Sequence, residues 1–495
     1  MSGARAICTG THLGAGFYFP DYKYVMAEFY LPDFELFNYF ATIQHSEHKH
    51  LFFLESLTGD ENARYSILGF YSLLQLETRA GLVSESYHAE PHYLEINIFE
   101  ALRQLMQSPS IDKALPVSYF YGGMVGYWGY DLALQVEGIK RTIRPAPSLP
   151  DAAFFLPGIV VVQDRLTSTI QVFGYYGQDD EEKSVVRQRV NDTVQSILSC
   201  GSFPSPSTVR NPGPVEQAGE FVSNTTRAEF ENMVIEAKKH IFRGDIFQAV
   251  LSQRWKKTTP ASAFEVYAEL RRLNPSPYMF YLRFGDNTLV GSSPEMLVKV
   301  NGDRIETRPI AGTRPVTHDE EKDALLRQEL ADDPKEQAEH IMLVDLGRND
   351  VGKVSRPGTV AVKEFMKVEA YSHVVHLVSQ VEGQLKPGED GLSAFQACYP
   401  AGTLSGAPKR RAMEIIDELE KDCRGPYGGA VGYLGLNGCL DSCITIRSIL
   451  FYNGCCYLQS GAGIVADSIP SNEYQETVNK ARALMIAIQN VEGRI

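Results

Sequence analysis

Across 495 residues the chain carries 47 Lys and Arg against 61 Asp and Glu, a formal net charge of -14, with 44% hydrophobic and 22% charged residues. That length suits two ordinary domains or one large one, and the balance is that of a soluble globular protein. The acidic surplus argues against nucleic acid or another polyanion as partner, so any anionic ligand needs local cations, amides or a metal.

No apolar run is long enough to span a bilayer, and the N-terminus lacks the apolar core of a secretory signal. Eight scattered cysteines without histidine-backed zinc spacing read as buried thiols of a reducing compartment. The expected location is therefore cytoplasmic, without membrane contact.

Residues 1–24, rich in Gly and aromatics without a period, form an N-terminal extension. A first lobe follows over 25–200, strand-heavy to about residue 165. Its apolar runs 51–56 and 64–70 are bounded by turn residues, 98–106 carries a helical period, and 159–162 with 169–173 reads as a hairpin. Residues 179–198 are polar with a helical period, and a Pro/Ser/Gly-rich stretch within 201–224 marks a linker. A second domain over 225–490 opens on Thr225 or Thr226 as helix cap, with Glu229 as capping-box partner and Phe230, Val234, Ala237 and Ile241 at helical spacing.

One nonapeptide nearly recurs. Tyr121-Gly122-Gly123-Met124-Val125-Gly126-Tyr127-Trp128-Gly129 returns as Tyr427-Gly428-Gly429-Ala430-Val431-Gly432-Tyr433-Leu434-Gly435, differing only at the fourth and eighth positions. The recurrence predicts two related β-rich halves with glycines where strands cross closely; the alternative is chance within a Gly/Tyr-rich strand vocabulary.

Asp333 suits a helix N-cap and Pro334 the first helical position. Glu336 and Glu339 then share one helix face, although Glu336 also sits where a capping-box glutamate would. His376 lies in an apolar strand, as a core residue or a catalyst. The segment 403–411 is a polar turn into a helix with Ala412, Ile415, Ile416 and Leu419 as core stripe; it is a ready anion site or a plainly capped helix. Arg447 falls in the otherwise apolar strand 443–449, where a cation needs a carboxylate partner from protein or ligand. Gly461-Ala462-Gly463 follows an apolar strand-like run and lets backbone amides approach an anion. Pro470 and Ser471 open a helix carrying Glu473, Glu476 and Lys480 on one face. Those glutamates either complement the helix dipole or, with Glu336 and Glu339, offer four carboxylates to a hard divalent cation such as magnesium.

The stretches Pro309-Ile310-Ala311-Gly312-Thr313-Arg314-Pro315, Leu343-Val344-Asp345-Leu346-Gly347-Arg348-Asn349-Asp350, Gly402-Thr403-Leu404-Ser405-Gly406-Ala407-Pro408-Lys409 and Gly461-Ala462-Gly463 resemble the motifs of the chorismate-utilising enzymes. Within them, the chain is most similar to the anthranilate synthase component I (large-subunit) group, from about residue 25 to 488 and most closely after Thr226. The resemblance implies an α/β (α+β) fold, a large two-lobed β-sandwich with helices on the outside, whose first lobe is regulatory. It implies Mg2+ on Glu339 and Glu476 with Glu336 and Glu473 in support. Chorismate contacts fall on Gly312, Thr313, Thr403, Tyr427, Arg447, Gly461, Ala462, Gly463 and Lys480.

The implied reaction adds ammonia at ring C2 with loss of the C4 hydroxyl, then eliminates pyruvate to give anthranilate, the first step of tryptophan biosynthesis. Glu295 matches the general acid for the departing hydroxyl, and His376 the residue of the elimination half. Gln248 stands where isochorismate-forming relatives carry a water-activating lysine. Ala311 stands where many aminodeoxychorismate synthases carry another. Leu54-Glu55-Ser56 and Asn274-Pro275-Ser276-Pro277-Tyr278-Met279 resemble the walls of a tryptophan site, implying feedback inhibition by L-tryptophan through Ser56, Pro277, Tyr278 and Met279. Packing alone is the other explanation for those residues. No glutaminase domain is recognisable, so glutamine use implies a separate amidotransferase small subunit (component II) in a hetero-oligomer. The alternatives are an aminodeoxychorismate or isochorismate synthase of the same family, or a non-catalytic tryptophan-sensing protein.

Overall fold

The computed structural model describes residues 23–58, 64–86, 92–106, 119–141, 147, 149–177, 180–200, 220–317, 319–370 and 374–494. Most of the expected extension and linker lies outside the described residues; of their edges, Lys23 already starts a strand, and Val222–Ser223 pairs with Lys256 and Trp255.

Two antiparallel sheets face each other. The first runs Lys23–Tyr30, Thr169–Tyr176, Ala152–Asp164, Tyr65–Arg79, His50–Glu55, Tyr278–Phe284, Asn287–Ser293, Ser448–Tyr452, Cys455–Ile464 and Gln248–Thr258. Tyr65–Arg79 and Ala152–Asp164 are long enough to serve both sheets, with a register shift between Ser72 and Leu74 where they pass from one to the other. The second sheet continues from them through Gly123–Trp128, Ala430–Gly435, Leu440–Ile444, Met296–Asn301, Arg304–Thr307 and Val374–Gln384, which also pairs with Ile310–Pro315 and Ala361–Ala370.

Alternation along the strands assigns each layer. Phe52 faces its neighbours Phe155, Phe280 and Val431 between the sheets. Leu51 and Phe53 point the other way, onto the helices Leu36–Ile43, Ala263–Leu273 and Pro470–Glu492. The helices Ile98–Met106, Pro334–Val354 and Gly391–Cys398 cover the outer face of the second sheet. Ala152–Asp164 is buried at every position but the last, as a strand covered on both faces must be. The result is the expected α/β sandwich with helices outside.

The recurring nonapeptides pair with each other across the centre. Gly126 lies opposite Gly432, Met124 opposite Leu434 and Trp128 opposite Ala430. The two variable positions thus face one another, and the bulkiest residue meets the smallest. A Cβ on Gly126 would stand 2.0 Å from the Ala153 carbonyl oxygen, and one on Gly432 2.3 Å from that of Asp441, so both glycines are demanded by close strand approach. Element order repeats as well. A helix joins the first two long strands of each half (Leu36–Ile43, Ala263–Leu273), and a long helix ends each (Asp180–Ser199, Pro470–Glu492).

Candidate active site

Asp333 caps the Pro334–Val354 helix, its carboxylate accepting from the N–H groups of Lys335 (2.9 Å) and Glu336 (3.2 Å). Of the two sequence-level readings for Glu336, the capping box is not the one realised: its carboxylate instead accepts from Arg314 at 3.3 Å. The tip of this helix faces that of Pro470–Glu492. Burial raises the Glu339 carboxyl, and repulsion from Glu336 and, across the gap, Glu476 raises it further, while Lys335 and Lys480 oppose. Glu473 is raised by burial and by Glu476, opposed by a hydrogen bond from Ser468 and by Lys335 and Lys480. Lys480 sits between the tips, 2.7 Å from Glu476 and donating to the Gly461 carbonyl at 3.1 Å. Among the described residues no group of three or more His, Cys, Asp or Glu side chains stands close enough together to hold a metal as it is. Glu339 and Glu473 are nevertheless raised first by burial and further by a neighbouring glutamate, and their oxygen donors are those a hard divalent cation takes.

Glu295 emerges from the end of Asn287–Ser293. Its backbone is pinned on both sides, the N–H donating to Ser293 Oγ at 3.4 Å and the carbonyl accepting from Ile444 at 3.0 Å. Burial pushes its carboxyl up to about 7, against a hydrogen bond from the Thr403 hydroxyl (2.8 Å) and the charges of Lys480 and Arg447. It is thus poised between acid and carboxylate near neutrality, as a general acid must be.

Arg447 corrects an expectation. It is not within a strand but in the break between Leu440–Ile444 and Ser448–Tyr452, with φ of 48° in the left-handed region. The break turns its side chain out of the sheet and toward Glu295; burial lowers its pKa, with Glu295 as the compensating charge. His376 lies within Val374–Gln384, 6% exposed, with Nδ1 donating to the Gly312 carbonyl at 2.7 Å. A carbonyl only accepts, so Nδ1 carries the proton and Nε2 is the lone-pair nitrogen. Burial lowers the His376 pKa, opposed by the Gly312 bond and reinforced by Arg447, which keeps the ring neutral.

Gly312 has φ of 65°, and a Cβ there would lie 3.2 Å from Glu336 Oε2 and 2.7 Å from Leu330 Cδ1. The glycine therefore lets the strand pass directly beneath the Glu336 carboxylate. The side chain of Thr313 lies outside the described residues.

Gly461-Ala462-Gly463 continues the strand Cys455–Ile464, laddered to Ser252, Leu251 and Val250 of Gln248–Thr258. On the other edge the partner strand Ser448–Tyr452 covers only Cys455–Leu458, so residues 459–464 present one open edge of backbone groups. That edge is where this segment has unpaired backbone groups to offer a ligand. A Cβ on Gly461 would stand 3.0 Å from the Tyr427 hydroxyl, and one on Gly463 2.5 Å from Gln248 Nε2, so both side chains lie over the face of this strand. Ala462 is 0% exposed, packed with Phe230, Val234 and Leu251, so it contributes backbone only.

Sequence reasoning missed Lys335, which acts on both Glu339 and Glu473 but reads in sequence as one more surface lysine.

Ser56, Pro277, Tyr278 and Met279 line one cavity of about 160 Å3, where His50–Glu55 of the first lobe pairs with Tyr278–Phe284 of the second. Tyr433 and Cys443 close it, and Lys299 and Asp441, 3.4 Å apart, put charge on its wall. Pro294 and Met296 line it too, so the residues on either side of Glu295 belong to this cavity.

The family profile for chorismate binding enzyme matches residues 51–486. The chain is 44% identical over 443 residues to anthranilate synthase component 1 of Acetivibrio thermocellus, covering 88% of this chain and 90% of that protein. It is 43% identical over 454 residues to the Aquifex aeolicus component 1, covering 89% of each. Among solved structures, anthranilate synthase component I from Streptococcus pneumoniae superposes with a TM-score of 0.76 at 35% identity, covering 87% of this chain and 94% of that one. The menaquinone-specific isochorismate synthase of Escherichia coli reaches 0.73 at 21% identity over 95% of each chain, which speaks to the fold alone.

Proposed function

Because the chain belongs to the chorismate binding enzyme family, we propose that this chorismate-utilising enzyme is an anthranilate synthase large subunit, a lyase that turns chorismate and ammonia into anthranilate, pyruvate and water. The observation that carries the reading is the meeting of Glu295, Arg447, His376 and Lys480 with the two glutamate-bearing helix tips around one strand edge. Arg447, the Tyr427 hydroxyl and the amides of the 461–463 edge hold the substrate's two carboxylates. Glu295, protonated near neutrality, gives its proton to the C4 hydroxyl, which leaves as water while ammonia adds at C2. His376 Nε2 then takes the C2 proton, the C2–H electrons enter the ring as the C3–O bond breaks, and the ring becomes aromatic; the enolate that departs takes up a proton to become pyruvate.

Glu339 and Glu476, supported by Glu336 and Glu473, would hold Mg2+, which when bound offsets negative charge on the ring carboxylate. Gln248 supports ammonia over water as nucleophile, since an amide cannot deprotonate water and here its Nε2 packs over Gly463. Ammonia comes from a glutaminase small subunit in a hetero-oligomer. The 160 Å3 cavity takes L-tryptophan as feedback inhibitor of tryptophan biosynthesis, and an occupant there presses on both neighbours of Glu295. The expected setting is cytoplasmic; no described helix is long and apolar enough to cross a membrane.

The test is product identity. Purified protein given chorismate, magnesium and an ammonium salt should develop anthranilate fluorescence and release pyruvate. Isochorismate or aminodeoxychorismate as product would refute the assignment.

A further inference from the structure

Arg424 is 3% exposed, and its guanidinium lies where the 405–407 segment already pairs with Gln248–Val250, Val250 N–H donating to the Ser405 carbonyl at 2.9 Å. It donates to the carbonyls of Leu404 and Val250, each at 2.6 Å, and to both carboxylate oxygens of Glu420 at 2.9 and 2.6 Å. Its plane lies 4.3 Å from the Tyr130 ring and 5.9 Å from that of Tyr427. The backbone N–H groups of Arg424 and Gly425 donate to Asp131 at 3.3 and 2.6 Å. Tyr130 and Asp131 open the helix Tyr130–Val136 of the first lobe.

Each partner stands one step from a group of the site. Leu404 follows Thr403, which holds Glu295. Val250 lies opposite Gly463 in the ladder, and Ser252, which donates to Glu420 through both N–H and hydroxyl at 2.8 Å, lies opposite Gly461. We propose that Arg424, locked by Glu420 and by Asp131 and Tyr130 of the first lobe, is a positioning residue that, beside the backbone pairing of Gly406–Ala407 with Gln248–Ala249, holds the Thr403–Glu295 turn at its place against the Gly461–Gly463 edge. Stability alone does not account for it, because a buried ion pair is generally no better than an apolar replacement of equal volume. What a guanidinium supplies is a rigid fork of donors reaching acceptors on separate segments at once, which an ammonium cannot match. The first lobe thereby takes part in the geometry of a site built by the second.

The proposal rests on the reaction proposed above, and the test separates the two. In ammonia-dependent turnover of the full chain, Arg424→Lys keeps the charge beside Glu420 but reaches fewer acceptors. It should fold with a melting temperature near that of the unsubstituted protein and lose about tenfold or more in kcat/KM per folded molecule. Thr403→Val, combined with it, should add no more than about twofold, because both changes release the same turn.

Should Arg424→Lys fail to fold, the pair Glu420→Met/Arg424→Met, which leaves no uncompensated charge, carries the same readouts. Unchanged kcat/KM per folded molecule, or full additivity with Thr403→Val, overturns the positioning role. Failure of the unsubstituted protein to convert chorismate overturns instead the reaction on which it rests.

Discussion

Replacing Glu295 by Gln separates what this carboxyl does for catalysis from what it costs the fold. Burial raises it from 4.5 to about 7 in the folded chain. For an acid raised on folding, stability is unaffected below the unfolded value, where both states are protonated. It falls as pH rises toward the folded value, because the unfolded chain ionises first. Each tenfold change in acidity corresponds to about 1.4 kcal/mol, so the penalty carried above neutrality is about 3 kcal/mol. Glutamine keeps the shape and carries no such penalty.

Unfolding entropy of about 2 cal/mol/K per residue comes to about 1 kcal/mol/K for a chain of 495 residues, so 3 kcal/mol corresponds to a shift of about 3 °C. Glu295→Gln should therefore melt about 3 °C above the unsubstituted protein at about pH 8 and level with it near pH 4.5, while turnover falls by about 10²–10⁴-fold. Thermal scans across that range, paired with anthranilate fluorescence, make the measurement. A melting difference that does not grow with pH, or a glutamine variant less stable above neutrality, would refute the placement of Glu295 as a buried acid.

Turnover in the unsubstituted protein should fall as pH rises through about 7, where Glu295 loses the proton it donates, with free ammonia held constant across the profile. His376→Ala should cut pyruvate release by about 10²-fold or more while an aminated, non-aromatic product that keeps the enolpyruvyl group accumulates, visible by chromatography. Glu339→Gln and Glu476→Gln should each weaken the apparent affinity for magnesium by about tenfold or more in calorimetric titration, and an unchanged titration would remove the metal from this pocket. Ser56→Phe, which puts a ring into the cavity of about 160 Å3, should abolish the response to L-tryptophan, and unchanged inhibition in a turnover assay would move the inhibitor site elsewhere.

Much of the site was legible because its parts are local. Asp333-Pro334 starts a helix wherever it is placed, and it then carries Glu336 and Glu339 on one face. Thr226 and Glu229 form their capping box as spaced. What misled was reading apolar runs as unbroken structure. The run around Arg447 looked like one strand, but a left-handed residue splits it, and only neighbouring strands make that backbone worth holding. That Gly461-Ala462-Gly463 could bring amides to an anion was legible, but its place in a ladder with one edge uncovered depends on where Ser448–Tyr452 stops.

The amino-acid sequence by itself determined the helix starts and the recurring glycine strand, since propensity and capping act over a few positions, while the sandwich was expected from the resemblance of longer motifs. Only the tertiary structure decided that the glutamate-bearing helix tips face each other, that Glu295 is buried enough to keep its proton to about pH 7, and that Ala462 turns into the core. Those outcomes depend on long-range strand pairing and on the exclusion of water, neither of which any short stretch of the chain specifies alone.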